Sequence, residues 1–503
     1  MTETSQPQAR KNNFSLPVLY FLLVLFLTLY LAVQYVDPIS KLVVTSVQSL
    51  KYEFGLDYGE GPLLAQAVRL SQFQNIYPKD LQNPPYLIAN YPPLYPLSLT
   101  PFIWIFGPQL WYARLVSLIS VLLSGVFIGL IIQKLTRNWL AAAFAGLTFW
   151  IMPYVIHWAP LARVDSLALV LSLAGLFVIV SNPEERKNRI WAAVLITLSI
   201  YTKQSYGLVA PAAGFFYLFY EKPRRKAFEF AGWVALLGGS LLILLTLFTS
   251  GGFILHVFKA NVNPFHWDTV LYYATEIKDH FLLFFILGGL YLLGGVWKGI
   301  RQPAWWLVAP YFLLGTAVAI TIGKEGSNVN YLYEMCVGIA LLTGALLGIH
   351  QNKPNLRWVQ FLLMLVLVFP IQGAINRSMD EYVERHPRTM AHIIGLMQLQ
   401  REVDKVEGDV LADEYMSLVV TSGKPLLYQP FEFKMLNVGG LWDQTDFIRS
   451  IENQEYDLIL LYDPMYWDSR NARWTPEQLA AIEANYRSYS RVGETRVYTP
   501  IRK

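Results

Sequence analysis

The chain has 503 residues, of which 54% are hydrophobic and 15% aromatic. Apolar runs fill most of its first three quarters, which excludes an ordinary soluble domain and indicates an integral membrane protein. The formal net charge of +4 is small and gives no support to nucleic-acid binding. The chain holds a single cysteine, Cys336, so no disulfide can form within it.

The apolar runs predict about eleven transmembrane helices, since a helix needs about 20 residues to cross the hydrocarbon core. No small-residue cleavage site follows the first run, which we therefore expect to be a retained helix. Another apolar segment, residues 94–107, is bounded by prolines and only about 14 residues long, so we expect it to be re-entrant or interfacial. The expected spans are residues 16–36, 111–132, 140–156, 167–180, 190–201, 206–220, 228–248, 281–297, 305–322, 331–349 and 358–374.

The short basic loops predict the orientation in the membrane, because lysine and arginine concentrate in short cytoplasmic loops. With these spans, the basic loops all fall on one side. We therefore expect a multi-pass protein of the plasma (inner) membrane with a cytoplasmic N-terminus. The loop after the first helix and the tail of the chain are then extracytoplasmic. The basic residues are Arg10, Lys11, Lys134, Arg137, Arg186, Lys187, Arg189, Lys222, Arg224, Arg225, Lys226, Lys298, Arg301, Lys353 and Arg357.

The last quarter of the chain has a different composition, with charged residues throughout. We expect a transmembrane domain at residues 1–376 and a small extracytoplasmic α/β domain at residues 377–503. The α/β pattern is Rossmann-like but has no GxGxxG turn, so it does not support nucleotide binding. The sequence pattern predicts strands at 409–412, 425–428 and 457–462 and helices at 379–406, 444–451 and 476–485.

Two acidic residues follow the first apolar run, in the motif Asp57-Tyr58-Gly59-Glu60-Gly61-Pro62. With Asp57 at the N-cap and Glu60 at N3, the motif can form a variant of the capping box. A carboxylate at the membrane–water boundary is also suited to removing a proton from an acceptor hydroxyl. The two carboxylates can share a divalent cation as well, although a single Asp-x-x-Glu is a weak metal signal.

Cationic side chains occupy two other outer loops. Arg163 can bind a phosphate ester through the paired N–H donors of its planar guanidinium group. Alternatively, it can form a surface ion pair while Asp165 caps the next helix. Lys203 and Gln204 lie between predicted helices of about 12 and 15 residues, which are too short to cross the bilayer core. An ammonium within the membrane is costly unless it faces a polar cavity, and snorkelling to the interface is the alternative.

Two further outer loops are rich in hydrogen-bonding side chains. Asparagine and tyrosine beside an apolar cavity suit sugar hydroxyls, and ordinary loop capping explains them equally well. The sequence has no HExxH metal spacing, no Walker A motif and no GxSxG elbow. The residues are His256, Lys259, Asn261, Asn263 and His266 in one loop and Lys324, Glu325, Asn328, Asn330, Tyr331 and Glu334 in the other.

These motifs together resemble the GT-C glycosyltransferases, the superfamily of protein O-mannosyltransferases and aminoarabinose transferases, and in particular their bacterial branch. The resemblance spans residues 16–374 and implies an α-helical polytopic membrane fold to which the small α/β domain is appended. Tyr91 is a departure, because many members carry a lysine there. The motifs are Asp57-x-x-Glu60-Gly61, Tyr91-Pro92-Pro93-Leu94-Tyr95-Pro96, Ala162-Arg163-Val164-Asp165-Ser166-Leu167-Ala168, Thr202-Lys203-Gln204 and Asn330-Tyr331-x-x-Glu334.

The resemblance implies a polyprenyl-phosphate-linked sugar donor and transfer to a hydroxyl of a lipid, glycan or protein outside the cytoplasm. It assigns the role of catalytic base to Asp57, with Glu60 orienting the acceptor or a divalent cation, Mg²⁺ or Mn²⁺. The donor phosphate is expected at Arg163, Lys203 and Lys324. The other expected substrate-binding residues are Tyr91, Asp165, Gln204, Asn261, Asn263, Asn330 and Glu334.

Two other kinds of function are considered. A transporter or a lipid/glycan flippase needs polar residues along a path to both sides of the membrane, whereas the polar clusters of this sequence fall on the outer side. A non-catalytic scaffold that binds an envelope partner through its tail would tolerate the combined loss of Asp57, Arg163 and Lys203.

Overall fold

The computed structural model describes residues 16–261, 263–299, 302–348, 357–385, 390–465 and 467–501. Eight of the described helices are long and apolar enough to cross a membrane, as expected of a multi-pass membrane protein. The helices of this part are α1 Leu16–Lys51, α2 Glu60–Ser71, α3 Leu94–Phe106, α4 Trp111–Thr136, α5 Trp139–Trp150, α6 Pro153–Trp158, α7 Val164–Ser181, α8 Arg186–Ile200, α9 Val209–Tyr220, α10 Arg225–Phe248, α11 Gly252–Ile254, α12 Trp267–Gly294, α13 Pro303–Ala319, α14 Tyr333–Gly348 and α15 Arg357–Arg385.

The helices form a bundle around α14. Within the span that contains α14, 89% of the most apolar window is buried, compared with 6% for α10 at the periphery. Both helices are apolar, so their sequences alone do not separate a core helix from a lipid-facing one. Small residues allow close approach of α4 and α5, where a Cβ on Gly146 would lie 2.7 Å from the Gly125 carbonyl oxygen.

Several expected spans differ in length from the helices that form. The predicted span 140–156 divides into α5 and α6, because Pro153 starts a new helix at its first turn. Helix α1 continues past residue 36 to Lys51. The short α8 and α9, of 15 and 12 residues, agree with the prediction for the segment around Lys203. Helix α3 has 13 residues, too few to cross the hydrocarbon core.

The tail forms a small α/β domain with a mixed sheet in the order β1-β2-β4-β3, in which only β1 and β2 are parallel. The predicted helix at 379–406 corresponds to two helices of the structure, the end of α15 and α16. Residues 386–389 between them lie outside the described part. The elements are α16 Met390–Lys405, β1 Val410–Ala412, α17 Met416–Thr421, α18 Pro430–Val438, α19 Thr445–Glu452, β2 Leu458–Tyr462, α20 Ser469–Arg473, α21 Pro476–Asn485, β3 Tyr486–Val492 and β4 Thr495–Pro500.

The predicted strand at 425–428 is wrong, because this segment leaves the sheet to contact residues 52–93, the segment after α1 that the sequence analysis expects to be the first outer loop. Tyr428 forms an isolated parallel bridge with Tyr86. Gln429 accepts a hydrogen bond of 2.5 Å from the Ile88 N–H. The rings of Tyr86 and Tyr428 pack in the same apolar cluster as Phe433. The first outer loop therefore contributes to the core of the tail domain and fixes that domain over one end of the bundle.

Two of the basic connections that the structure describes, at residues 186–189 and 222–226, contact each other. Arg189 pairs with Glu229 at 2.8 Å, and Lys226 pairs with Glu184. These contacts join the α7–α8 connection to the start of α10. Helices α7 and α8 separate these two connections from Arg163 and Lys203, so they lie at the opposite end of the bundle from the tail domain.

We expect Gly125→Ala to lower the free energy of unfolding by about 1–3 kcal/mol, because overpacking forces neighbours to shift. A Cβ at this position would lie 2.3 Å from the Trp150 indole nitrogen. Gly232→Ala on α10 is the matched control, since its Cβ would meet nothing within 4 Å. Thermal unfolding of the detergent-solubilised protein measures both, and equal melting temperatures would contradict the packing described for α4 and α5.

Candidate active site

A cavity of about 560 Å³ lies between the loops at one end of the bundle and the tail domain. Of the residues expected to bind substrate or catalyse, it is lined by Asp57, Tyr91, Arg163, Asn261, Asn263 and Lys324. The tail contributes residues that the sequence did not single out: Gln429, Phe431, Glu432, Trp467, Ala472 and Arg473.

Asp57 presents one carboxylate oxygen to the cavity. Its Oδ1 accepts hydrogen bonds from Arg163 Nη1 at 2.9 Å and from the Gly59 N–H at 3.0 Å. No donor among the described residues bonds its Oδ2, and 22% of the side chain is exposed. Asp57 does not cap α2, because that helix begins at Glu60 with Gly59 at its N-cap. The expected capping box is therefore wrong.

Arg163 reaches Asp57 only because residue 59 is a glycine. A Cβ on Gly59 would lie 1.4 Å from Arg163 Nη1. The guanidinium also lies 5.2 Å from the centre of the Trp158 ring. Burial by itself lowers the pKa of Arg163, but Asp57 and the neighbouring acidic groups raise it above its usual value. Arg163 is therefore a permanent cation beside the free oxygen of Asp57.

Glu60 is fully buried and does not line the cavity. Its Oε1 accepts from Arg114 Nε at 3.0 Å and the Ala162 N–H at 2.8 Å. Its Oε2 accepts from Arg114 Nη2 at 2.8 Å and the Leu56 N–H at 2.6 Å. Burial raises the pKa of Glu60, but Arg114 and these hydrogen bonds bring it below the usual value. Glu60 thus has no oxygen left for an acceptor.

The same contacts argue against a cation shared by Asp57 and Glu60. Both oxygens of Glu60 are already occupied by donors, and Arg163 already holds Oδ1 of Asp57. Within the described residues, no three histidine, cysteine or acidic side chains come together as metal ligands. The residues present do not fit a divalent cation at this pair.

Lys203 and Asp165 form a buried pair behind the cavity wall. The ammonium is 2.5 Å from Asp165 Oδ1, which also accepts from Asn330 Nδ2 at 2.8 Å. Trp158 donates to Asp165 Oδ2 at 2.9 Å. Only 3% of Lys203 is exposed, so the ammonium does not line the cavity. The sequence analysis expected this ammonium to face a polar cavity, whereas in the structure it faces Asp165.

Two tyrosine rings separate the Lys203 ammonium from the cavity. Its ammonium lies 4.3 Å from the centre of the Tyr331 ring and 5.9 Å from that of Tyr91. Both tyrosines line the cavity. Tyr91 and Tyr331 thus contact both the cavity and the buried cation.

The remaining predicted residues divide into two groups. Lys324 bonds the Asn261 side chain at 2.7 Å, and Asn263 donates to the Glu325 carbonyl at 2.8 Å, all beside the cavity. Gln204, Asn330 and Glu334 are not among the lining residues. The amide nitrogen of Gln204 bonds the Asn90 carbonyl at 3.1 Å, so it supports the loop that carries Tyr91.

A family model described as dolichyl-phosphate-mannose-protein mannosyltransferase matches residues 90–253. The structure of ArnT from Cupriavidus metallidurans bound to undecaprenyl phosphate superposes with a TM-score of 0.59 at 14% identity. The match covers 95% of this chain and 99% of ArnT. No curated protein matches the sequence.

A second similar structure is that of the oligosaccharyltransferase AglB from Archaeoglobus fulgidus in complex with an inhibitory peptide and a dolichol-phosphate. The TM-score is 0.53 at 11% identity, over 93% of this chain and 74% of AglB. The chain has the fold of the GT-C membrane glycosyltransferases. The GT-C resemblance seen in the sequence motifs is confirmed at the level of the fold.

Within this GT-C fold, Tyr58 joins the loop of Asp57 to the tail domain. Its hydroxyl donates to Glu432 Oε2 at 2.9 Å and accepts from the Phe431 N–H at 3.3 Å. The Arg473 guanidinium lies 4.7 Å from the centre of the Tyr58 ring. No local sequence pattern predicts this contact, because Tyr58 and Glu432 are 374 residues apart in the chain.

We expect Arg114→Gln to lower the free energy of unfolding by about 3–5 kcal/mol, because it leaves the Glu60 carboxylate buried without a cation. Arg186→Gln is the control, since Arg186 is 70% exposed in its pair with Glu229 and such surface pairs contribute about 0–1 kcal/mol. Thermal unfolding in detergent measures both.

The pH dependence gives a second test of this pair. The folded pKa of Glu60 is below 4.5, so its contribution to stability is present above about pH 4.5 and is lost as pH falls through the folded value. In Arg114→Gln the carboxyl can take up a proton and shed its unpaired charge. The difference in the free energy of unfolding between the wild type and Arg114→Gln should therefore decrease as the pH falls. A difference that does not change with pH would contradict the pairing of Glu60 with Arg114.

Proposed function

We propose that the protein transfers a sugar from a polyprenyl-phosphate donor to an acceptor hydroxyl outside the cytoplasm. The observation that carries this proposal is one cavity in a GT-C fold that contains a carboxylate with a free oxygen, Asp57, beside the cations Arg163 and Lys324. The similar ArnT structure holds undecaprenyl phosphate, and the AglB structure holds a dolichol-phosphate and a peptide.

Asp57 acts as the general base in this proposal. Its Oδ2 takes the proton of the acceptor hydroxyl while the hydroxyl oxygen attacks the anomeric carbon. Arg163 and the Gly59 N–H bond Oδ1 and hold the carboxylate in orientation. Direct displacement breaks the bond from the anomeric carbon to the phosphate oxygen and inverts the anomeric centre.

Arg163 and Lys324 stabilise the departing phosphate. Both line the cavity, and Lys324 is bonded to neutral oxygens of Asn261, so its charge remains available to an anion. Fixed cations aimed at the charge that develops in the transition state contribute strongly to catalysis. Lys203 does not line the cavity and is paired with the buried Asp165, so we assign it to positioning Tyr91 and Tyr331 rather than to direct phosphate binding.

The proposed orientation puts the cavity on the extracytoplasmic side of the plasma membrane. Of the basic connections, those that the structure describes at residues 186–189 and 222–226 lie at the opposite end of the bundle, which agrees with the concentration of lysine and arginine in cytoplasmic loops. A donor with a polyprenyl tail can reach such a cavity from the outer leaflet. The acceptor then approaches from the side of the tail domain.

A transporter or flippase is less well supported. Transport needs polar groups that continue through the bundle to the other side of the membrane. In α14, at the centre of the bundle, the buried side chains after Glu334 are apolar or small except for Cys336 and Thr343. This helix offers no continuous polar path from the cavity.

We expect Asp57→Asn to lower the rate of sugar transfer at least 100-fold, the lower limit for losing a general base. The assay follows consumption of polyprenyl-phosphate sugars by membranes that contain the protein, using mass spectrometry. Glu53→Gln is the control, because Glu53 is exposed in the same loop and does not line the cavity. Full activity of a folded Asp57→Asn variant would exclude Asp57 as the base.

We expect Lys324→Gln to raise the KM for the donor about tenfold, which corresponds to a loss of about 1.4 kcal/mol of binding energy. Lys259→Gln is the control, since Lys259 is exposed and does not line the cavity. Initial rates at a series of donor concentrations measure both. An unchanged donor KM in Lys324→Gln would remove Lys324 from the phosphate site.

A further inference from the structure

We propose that the tail domain forms an acceptor subsite for a sugar ring, so that the acceptor hydroxyl belongs to a glycan. This inference rests on the proposed function, because it names the acceptor class for the same cavity. The subsite consists of Trp467, Arg473, Gln66 and Tyr58, which all line that cavity.

The first observation is the exposed aromatic side chain of Trp467, which lines the cavity. Trp467 is 43% exposed although it lines the cavity. The Arg473 guanidinium lies 5.0 Å from the centre of its ring and 4.7 Å from that of Tyr58. A sugar ring has a C–H face that packs on an aromatic surface, so an exposed tryptophan held in place by a cation provides a platform for it.

Two unpartnered polar atoms are the second observation. Arg473 Nη1 is a buried donor without a hydrogen-bond partner, and Arg473 as a whole is 6% exposed. Gln66 Oε1 is a buried acceptor without a partner, and Gln66 is 9% exposed. Buried polar atoms normally have partners, so these two point to a ligand or to water.

The chemistry of this pair of atoms favours hydroxyl groups. A hydroxyl both donates and accepts, whereas a phosphate or carboxylate only accepts. Glu325 and Glu432 also line the cavity, and Arg473 is already paired with Glu414. The subsite is therefore poorly suited to a second anion and well suited to a neutral polyol.

An extended peptide fits the subsite less well. Peptides that bind in extended form usually add a strand to the edge of a sheet. The edge strands of the tail sheet are β1 and β3, and none of their residues lines the cavity. The tail instead contributes Gln429, Phe431, Glu432, Trp467, Ala472 and Arg473, which lie outside the strands.

The geometry places this platform next to the reacting groups. Tyr58 follows Asp57 in the chain, and its ring contacts Arg473. A sugar ring on Trp467 can therefore direct one hydroxyl at Oδ2 of Asp57. The oxygen of this hydroxyl forms the new bond to the anomeric carbon, and its proton passes to Oδ2 of Asp57. The polyprenyl phosphate leaves with the electron pair of the broken bond.

The test uses the full-length protein in lipid nanodiscs with polyprenyl-phosphate sugars extracted from membranes. Oligosaccharides released from the cell envelope and tryptic peptides of envelope proteins serve as two separate acceptor pools. We expect the mass increment of one sugar on the oligosaccharides. The same increment on the peptides alone would overturn the inference.

Trp467→Ala should raise the half-saturating concentration of the oligosaccharide pool about tenfold, near the upper limit for loss of one aromatic contact. Trp467→Phe should restore most of the affinity. Tyr489→Ala is the matched control, because Tyr489 is 46% exposed on β3 and does not line the cavity. An unchanged half-saturation in Trp467→Ala would also overturn the inference.

Failure of the acceptor subsite can be distinguished from failure of the proposed function. If the wild type releases polyprenyl phosphate from the donor but adds no sugar to oligosaccharides, the glycosyltransferase proposal stands and the glycan subsite is wrong. If the wild type releases no polyprenyl phosphate with either acceptor pool or with water, the proposed function itself is wrong.

Discussion

The buried ion pair of Glu60 and Arg114 determines the geometry of the candidate active site. Glu60 accepts from the backbone N–H groups of Leu56 and Ala162, which directly precede Asp57 and Arg163. Arg114 donates to carbonyls at the end of α1 and in the segment after it. Because a buried charge is costly unless fully paired, this network allows few alternatives and holds Asp57 and Arg163 together.

A second buried pair supports the wall on which the donor is proposed to bind. Lys203 and Asp165 satisfy each other, and Trp158 and Asn330 complete the bonds of the carboxylate. These residues affect the cavity by fixing the rings and loops that line it. In the proposed function, Asp57, Arg163 and Lys324 line the cavity and contact substrate. The buried Lys203 and Asp165 instead position neighbouring residues.

The tail domain completes the cavity rather than standing apart from it. Segment 86–88 of the first outer loop pairs with the segment around Tyr428, and Tyr58 bonds Glu432. The loop that carries Asp57 is thus packed from both sides, by the bundle and by the tail. The tail residues line the same cavity as Asp57, and this shared lining is the basis of the proposed acceptor subsite.

The amino-acid sequence by itself determined the membrane class, most helix positions, and Asp57, Arg163 and Lys324 as cavity residues, because apolar length and charge placement are local properties. It did not distinguish Asp57, which has a free oxygen, from Glu60, which has none. The partners of Glu60 are Arg114 and Ala162, far along the chain, and only the packed structure brings them together. The same applies to Trp467 and Arg473: their role depends on the tail folding back onto the first outer loop, a long-range contact that no local pattern encodes.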